Sequence, residues 1–244
     1  MRAVWATYTR ELRAYFFSPL AYVVLFFFLI VNGFIFVNLI GNLINPQVMA
    51  RDPALSYFFH TSWILMLLLV PVLTMRLLSE ELRSGSIEIL MTAPISEAQV
   101  VAGKYLAALT FYAFLWLPTV VYALMIARHS EVDWGPVAAG YLGILGIGAL
   151  FLAVGTFASA MTRSQLVAAI VAVALVFLFF LLGLFQEQID NEGLKQALGY
   201  VDLFGHIDEF SRGIVDTRRL AYYGTGVLFF LFLATRALED KKWR

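Results

Sequence analysis

Residues 76–94 read RLLSEELRSGSIEILMTAP, a charged and amphipathic stretch between two long apolar runs. Four of its charged side chains cannot lie at the centre of a bilayer: Glu80, Glu81, Arg83 and Glu88. Each would cost roughly 2.5–3.5 kcal/mol there even on the most lenient insertion scale. Apolar residues still recur at helical spacing, namely Leu82, Ile87, Leu90 and Met91. The stretch therefore predicts a short, half-polar helix outside the membrane, able to pass force from a soluble partner to the two flanking spans.

The rest of the chain consists mainly of apolar runs long enough to cross a membrane, which takes about 20 residues. There are six: Leu20–Ile40, Thr61–Leu78, Val100–Ala127, Gly135–Ala160, Gln165–Phe185 and Leu220–Leu238. Only 14% of residues are charged and the mean hydropathy is +0.81, whereas soluble domains average about 25% charged residues. We therefore predict an all-α polytopic membrane protein with six transmembrane helices, in a single domain spanning residues 1–244.

The residues before the first run predict an amphipathic helix over residues 1–18. One face carries the apolar and aromatic side chains Val4, Trp5, Tyr8, Leu12, Tyr15 and Phe16. Such a helix suits the headgroup plane of a membrane, with its aromatic rings at the interface. Ser18-Pro19 should end it, because the residue before a proline avoids the helical region. The first run is longer than the 7–15 apolar residues of a signal peptide, so we interpret it as a retained span.

Basic residues set the predicted orientation. With the amino terminus in the cytoplasm, eleven of the 17 Lys and Arg residues fall on the cytoplasmic side and six on the other. Cytoplasmic segments carry the excess of positive charge in membrane proteins, so both termini are predicted to be cytoplasmic. Residues 79–96 then form a cytoplasmic loop. Residues 186–219 lie outside and should form two short helices at the outer leaflet.

The fourth run is rich in small residues, among them Gly140, Gly143, Gly146, Gly148 and Gly155. Helices in lipid associate through close backbone contact at such positions. This pattern fits either packing within the bundle or an interface between subunits.

Several kinds of chemistry have no sequence support. The chain lacks cysteine and lacks the G-x-x-x-x-G-K-[ST], H-E-x-x-H and G-x-S-x-G motifs. The centres of the spans contain essentially no ionisable residue, although ion-coupled pumps and intramembrane proteases keep acidic residues or histidines there. No basic tail suggests nucleic acid as a partner. We therefore expect no enzyme activity, catalytic residue, metal site or cofactor, and we expect energy from an external source.

Three motifs carry a resemblance to a known family. Residues 80–90 (EELRSGSIEIL) with Pro94 and Gly103-Lys104 resemble the coupling-helix region of type-2 ABC exporter permeases. Residues 16–24 (FFSPLAYVV) and 211–218 (SRGIVDTR) are similar to the gliding-motility-associated permease subfamily. A further resemblance, to permeases of nitrous oxide reductase maturation systems, leaves the substrate open.

The resemblance implies a dimeric permease, homodimeric or with a related subunit, in the inner membrane of a bacterium. A separate ABC ATPase subunit would dock on the first cytoplasmic loop. The docking residues implied are Glu80, Glu81, Arg83, Gly85, Ser86, Ile87, Glu88, Leu90 and Met91. Within this segment, Gly85 should end a helix, and Ser86 and Glu88 suit the start of the following turn.

Two functions remain open at the level of sequence. The chain either exports a substrate, or passes ATP-driven motion to an extracytoplasmic partner without moving a substrate. An exporter needs a polar path, and few polar residues occur in the early spans. Those that could line a pore or a dimer seam are Asn32, Asn38 and Thr74, although each could equally make an ordinary hydrogen bond between helices, worth about 0.6 kcal/mol.

Overall fold

The computed structural model describes residues 2–43, 53, 55–85, 95–185, 193 and 199–242. Over these residues the chain is helical and contains no strand. The helices are α1 (Arg2–Phe17), α2 (Pro19–Leu43), α3 (Ser56–Thr74), α4 (Ser79–Ser84), α5 (Glu97–Trp116), α6 (Val120–Ala127), α7 (Trp134–Met161), α8 (Gln165–Phe185), α9 (Leu203–Ser211) and α10 (Thr217–Lys242). A 3-10 turn, Leu117–Thr119, joins α5 to α6 at Pro118.

Six helical segments of this part of the chain are long and apolar enough to cross a membrane. They are Pro19–Gly41, Ser56–Ser84, Glu97–Ala127, Trp134–Met161, Gln165–Gly183 and Thr217–Lys241. Each overlaps one of the six apolar runs, so the predicted fold class is confirmed. The second segment combines α3 and α4, and the third combines α5 and α6 with the turn between them.

Helix α7 lies at the centre of the bundle, because its glycines let neighbouring side chains approach its backbone. A Cβ atom at Gly148 would lie 2.2 Å from the ring of Tyr112, and one at Gly155 would lie 2.1 Å from Thr74 Oγ1. Both neighbours are fully buried. The small residues of the fourth run therefore serve contacts within the chain, which decides between the two interpretations that the sequence left open.

Contacts between helix ends define two ends of the bundle. At one end, Lys241 Nζ donates to Ala160 O at 2.9 Å and Tyr15 Oη donates to Leu73 O at 2.7 Å. This end, which we call the α4 end, holds α1, α4 and the carboxyl ends of α7 and α10. At the other, the α9 end, Ser56 and Ser211 are hydrogen-bonded at 3.0 Å. The two termini of the described chain thus lie at the same end.

Local signals mark three helix ends, of which those at Ser18 and Gly85 were predicted. Ser18 is non-helical and separates α1 from α2. Helix α4 ends at Gly85, which has φ 71°, a left-handed conformation that glycine adopts without the steric cost of a Cβ atom. Helix α5 begins with a capping box, in which Ser96 and Gln99 each accept a hydrogen bond from the other's backbone amide.

Helix α9 differs from the expectation of helices resting on the outer leaflet. Asp202 caps its first turn by accepting from the amides of Phe204 and Gly205, each at 3.1 Å. Its apolar face, including Ile207 and Phe210, is buried against α7 and α3. The apolar stripe is therefore covered by protein and needs no lipid. Most of the first predicted helix of this loop lies outside the described residues.

Candidate functional site

The α4 end contains a partly buried group of four charged side chains, Arg10, Glu11, Glu81 and Lys104, which we call the ion cluster. Lys104 is only 2% exposed, and its Nζ lies 3.1 Å from Glu11 Oε1 and 3.0 Å from Glu81 Oε1. Arg10 Nη2 lies 2.8 Å and 2.9 Å from the same two oxygens. The formal charges cancel. The ion cluster thus joins α1, α4 and α5 through one set of charges.

Separating the charges of the ion cluster is costly, so the three helices resist moving apart. A buried ammonium group is costly unless it is paired and hydrogen-bonded, and removing one partner of a buried pair typically costs 3–5 kcal/mol. Moving α4 away from α5 would remove Glu81 from Lys104, and moving α1 would remove Glu11. The three elements are therefore expected to move together.

Helix α1 can reach Lys104 because the preceding residue of α5 has no side chain. A Cβ atom at Gly103 would lie 2.8 Å from Thr7 Cβ and 3.0 Å from the carbonyl oxygen of Val4. Further along the same contact, Tyr15 stacks on Phe111 with ring centroids 5.0 Å apart. Glycine at position 103 thus permits the close packing that places Glu11 beside Lys104.

A second connection links α4 to the central helix. The buried Ser159 Oγ in α7 accepts from the backbone amides of Leu78 and Ser79, at 3.0 Å and 3.1 Å, and donates to Met75 O at 3.2 Å. The first amides of a helix have no partner within the helix. Ser159 therefore caps α4 from another span, so that a displacement of α4 is carried to α7 as well as to α1 and α5.

A cleft of about 250 Å³ opens beside the ion cluster, between α1, the first turns of α2 and the end of α3. Arg76 and Glu80 line it, exposed to solvent and paired at 3.0 Å. Glu81 also lines it; its Oε2 atom is buried and has no hydrogen-bond partner among the described residues. One wall of the cleft is therefore charged, and most of the remaining lining is apolar.

The structure accounts for part of the predicted docking segment. Glu80 and Arg83 are exposed, Glu81 belongs to the ion cluster, and Gly85 ends α4. The other predicted docking residues lie outside the described residues: Ser86, Ile87, Glu88, Leu90 and Met91. Docking by this segment stays a prediction.

The three polar residues predicted near a pore or seam lie in different surroundings. Asn32 is fully buried and accepts a hydrogen bond from Ser62 Oγ at 3.1 Å, which links α2 to α3. Thr74 is also fully buried and donates to Val70 O. Asn38 is exposed on α2. Only Asn38 is thus on the surface of the subunit.

The family resemblance included Lys104 in the coupling region but gave it no partner, and sequence reasoning did not identify Glu11 or Ser159 as parts of this site. The one available signal was charge: Lys104 is a basic residue inside an apolar run, and Glu11 is the only acidic residue of α1. A lysine in such a run needs an acidic partner, but its place along the chain does not identify which one.

At the α9 end, His206 is fully buried between two partners. Arg219 Nη1 donates to its Nε2 at 2.7 Å, and its Nδ1 lies 2.9 Å from Tyr223 Oη. Because arginine only donates, the proton of the neutral ring is on Nδ1. Burial, together with the charge of Arg219, lowers the pKa of His206 to about 3. His206 is therefore neutral and holds α9 on α10.

The described residues include no group of three or more His, Cys, Asp or Glu suited to a metal ion.

The chain matches the model of a known protein family. A family model described as "ABC-2 family transporter protein" matches residues 53–204, which is more than half of the chain. No curated protein matches the chain.

Proposed function

Because the chain belongs to the ABC-2 family of transporter proteins and is thus a permease component of an ABC transporter, we propose that it works as one of a pair of membrane subunits and exports a substrate. Energy for export comes from a separate ATPase subunit. Among permeases of this family, the chain resembles the gliding-motility-associated subfamily.

The ion cluster is the observation that carries this proposal. The segment 79–96 begins at α4, and the ion cluster connects α4 to α1 and α5, while Ser159 connects it to α7. A loop serving only as a linker between spans does not require a buried lysine and a serine cap from two other helices. These connections suit a loop that receives motion from a partner and transmits it to several spans at once.

We assign the contact with the ATPase to residues 80–91. Glu80 and Arg83 offer exposed charges beside the end of α4, and Ile87, Leu90 and Met91 supply an apolar anchor of the kind that fills a pocket on a partner. Glu81 acts differently, because its carboxylate already binds Arg10 and Lys104. Its role is to hold α4 in place, not to contact the partner.

The proposed orientation puts the α4 end in the cytoplasm of a bacterium, with both termini inside and the chain in the inner membrane. The excess of basic residues at this end supports it. In this arrangement α1, within residues 1–18, lies along the inner surface of the membrane. Residues 186–219 form the extracytoplasmic loop, within which α9 rests on the bundle.

Pairing of two copies, or of this chain with a homologue, rests on the surface of α2. Its large apolar side chains Phe26, Phe27, Phe34 and Val37 are 60–69% exposed, and the exposed Asn38 follows them. Asn38 is therefore the seam residue that we retain. Asn32 and Thr74 are fully buried inside the subunit.

A second function is supported by the polar groups inside the spans. Among the described residues, two buried side-chain polar atoms lack a hydrogen-bond partner, Glu81 Oε2 in α4 and Trp116 Nε1 in α5. A subunit whose spans contain almost no unpaired polar groups has no polar path of its own for a substrate. This suits a protein that passes motion to an extracytoplasmic partner. Export then needs a path between two subunits.

The docking assignment is tested with a photo-crosslinking residue at Ser84 of the tagged full-length chain in its native membranes. The expected product is a crosslink to a protein containing a P-loop. The same group at Glu131, at the α9 end, should not give it. Replacing Ile87 and Leu90 together with Asp should abolish the crosslink and uncouple ATP turnover while insertion persists. Unchanged crosslinking and turnover in that variant would exclude docking by this segment.

A further inference from the structure

The cleft at the α4 end has the two-part lining of a site for an amphipathic ligand. Its charged wall is formed by Glu11, Arg76, Glu80, Glu81 and Lys104. Much of the rest is apolar, with Leu20, Val24, Leu73 and Phe111 among the lining residues. We propose that this cleft binds the headgroup of a zwitterionic phospholipid carrying a primary ammonium group, a phosphatidylethanolamine of the leaflet at the α4 end.

The balance of charge selects a zwitterionic headgroup. In the ion cluster, two cations face two anions, and at the mouth Arg76 faces Glu80 at 3.0 Å. A headgroup with one phosphate and one ammonium preserves this balance, with the phosphate beside Arg76 and the ammonium beside the two glutamates. A purely anionic headgroup would add a negative charge beside carboxylates that are already paired.

Glu81 selects a headgroup with N–H donors. Its Oε1 atom receives both Arg10 and Lys104, whereas its buried Oε2 atom accepts from no described residue. Leaving a buried charged acceptor unsatisfied is costly. A primary ammonium has three N–H donors, but the quaternary ammonium of a choline lipid has none. A rotation of the Glu81 carboxylate is needed to turn Oε2 towards the cleft. After that rotation phosphatidylethanolamine can satisfy Glu81, and phosphatidylcholine cannot.

The size of the cleft fits a headgroup and not a whole lipid. Its volume of about 250 Å³ is below the roughly 300–1,000 Å³ of pockets that enclose a small molecule. The acyl chains can continue outside it along α2. Leu20, Val24, Phe27 and Val31 follow each other at helical spacing on one face, and Leu20, Phe27 and Val31 are 39%, 60% and 36% exposed.

Native mass spectrometry of the purified full-length chain tests the proposal. The chain is mixed with equimolar palmitoyl-oleoyl phosphatidylethanolamine, phosphatidylcholine and phosphatidylglycerol, and the retained lipid is weighed. Phosphatidylethanolamine should be retained about tenfold over phosphatidylcholine, the factor expected from one hydrogen bond to a charged group. The measurement uses the chain alone, so its outcome is independent of whether the ATPase docks as proposed above.

Two variants locate the bound lipid. Glu81→Gln should reduce the preference for phosphatidylethanolamine to near unity, and Glu131→Gln, an exposed carboxylate at the α9 end, should leave it unchanged. Because Glu81→Gln also weakens the ion cluster, a second variant leaves the cluster intact. Ala14 is exposed and lines the cleft, so Ala14→Trp should fill it and abolish retention, whereas Ala14→Ser should not.

Three outcomes would overturn the proposal. The first is equal retention of the three lipids, or a preference for phosphatidylglycerol. The second is retention that Ala14→Trp leaves intact, because the lipid would then lie elsewhere. The third is another occupant: a dimer that Ala14→Trp dissociates would assign the cleft to a second copy, and a disulfide between cysteines at Ala14 and Leu90 would assign it to the chain's own loop.

Discussion

Among single residues, Lys104 is the side chain on which the geometry of the α4 end depends most. It is buried, and each of its two acidic partners comes from a different helix, α1 or α4. Arg10 shares both partners but is half exposed, so its charge is better solvated and its loss should matter less. The strength of the connection between α1, α4 and α5 should therefore follow the charge at position 104.

We expect Lys104→Met to destabilise the protein by about 3 kcal/mol, because it leaves two partly buried carboxylates with only Arg10 to balance them. Denaturation of the purified chain in mixed detergent and SDS micelles measures this change. Arg128→Met removes an exposed cation and should change the free energy of unfolding by less than about 0.5 kcal/mol. Equal effects of the two substitutions would show that the ion cluster contributes little.

His206 gives a prediction about pH. The pKa of His206 is about 3 in the folded protein and 6.5 for the ordinary side chain. Between these values the unfolded chain takes up a proton that the folded chain does not, so stability falls as pH falls below 6.5. The loss should approach about 1.4 kcal/mol per pH unit below pH 6.5, and only about 0.4 kcal/mol should be lost between pH 8 and pH 6.5.

The matched variant for this prediction is His206→Gln, whose side chain can still accept from Arg219 but does not titrate. The difference in unfolding free energy between the two proteins should change by about 2 kcal/mol from pH 6.5 to pH 5. Parallel stability curves for the two proteins over that range would contradict the assignment of a neutral, buried His206.

At the scale of elements, the sequence was sufficient wherever the deciding chemistry is local. The six spans follow from apolar runs, and the breaks at Ser18 and Gly85 follow from proline and glycine at those points. It was insufficient where partners are distant along the chain. Lys104 meets Glu11 only because α1 packs against Gly103, and α9 is covered by α7 rather than by lipid. Neither contact leaves a periodic signal.

The packing of α7 gives a prediction for one of its glycines. A Cβ atom at Gly148 would lie 2.2 Å from Tyr112, which cannot move easily because it is buried and donates to Ile144 O at 3.0 Å. Gly148→Ala should therefore destabilise the bundle by about 1–3 kcal/mol. Gly224→Ala is the control, since nothing lies within 4 Å of its Cβ position; it should be neutral or stabilising by up to about 1 kcal/mol. Thermal denaturation of the two variants in the same detergent distinguishes them.

For the whole molecule, the two ends of the bundle differ in which side of the membrane they should face. The chain has no cysteine, so single cysteines report their own positions. Glu131→Cys, at the α9 end, should react with a membrane-impermeant maleimide added to intact cells or spheroplasts. Ser84→Cys, at the α4 end, should react only after the membrane is permeabilised. Labelling of Ser84→Cys in intact cells would reverse the proposed orientation.

The pairing of two subunits is the remaining property of the whole molecule. It can be tested because α2 and α8 each have exposed residues at the same distance from the α4 end. Helices α2 and α8 both begin at the α4 end, at Pro19 and Gln165. Phe27 and Val173 each lie eight residues further on, which is about 12 Å along a helix, and they are 60% and 39% exposed. We expect a copy with Phe27→Cys and a differently tagged copy with Val173→Cys to form a disulfide-linked dimer in the membrane. Moving one cysteine to Val37, about 15 Å further along α2, should prevent the link. A complex whose mass accounts for a single permease chain would rule out pairing. It would also remove the path proposed for a substrate between two subunits, because the described polar groups of one subunit are almost all satisfied internally.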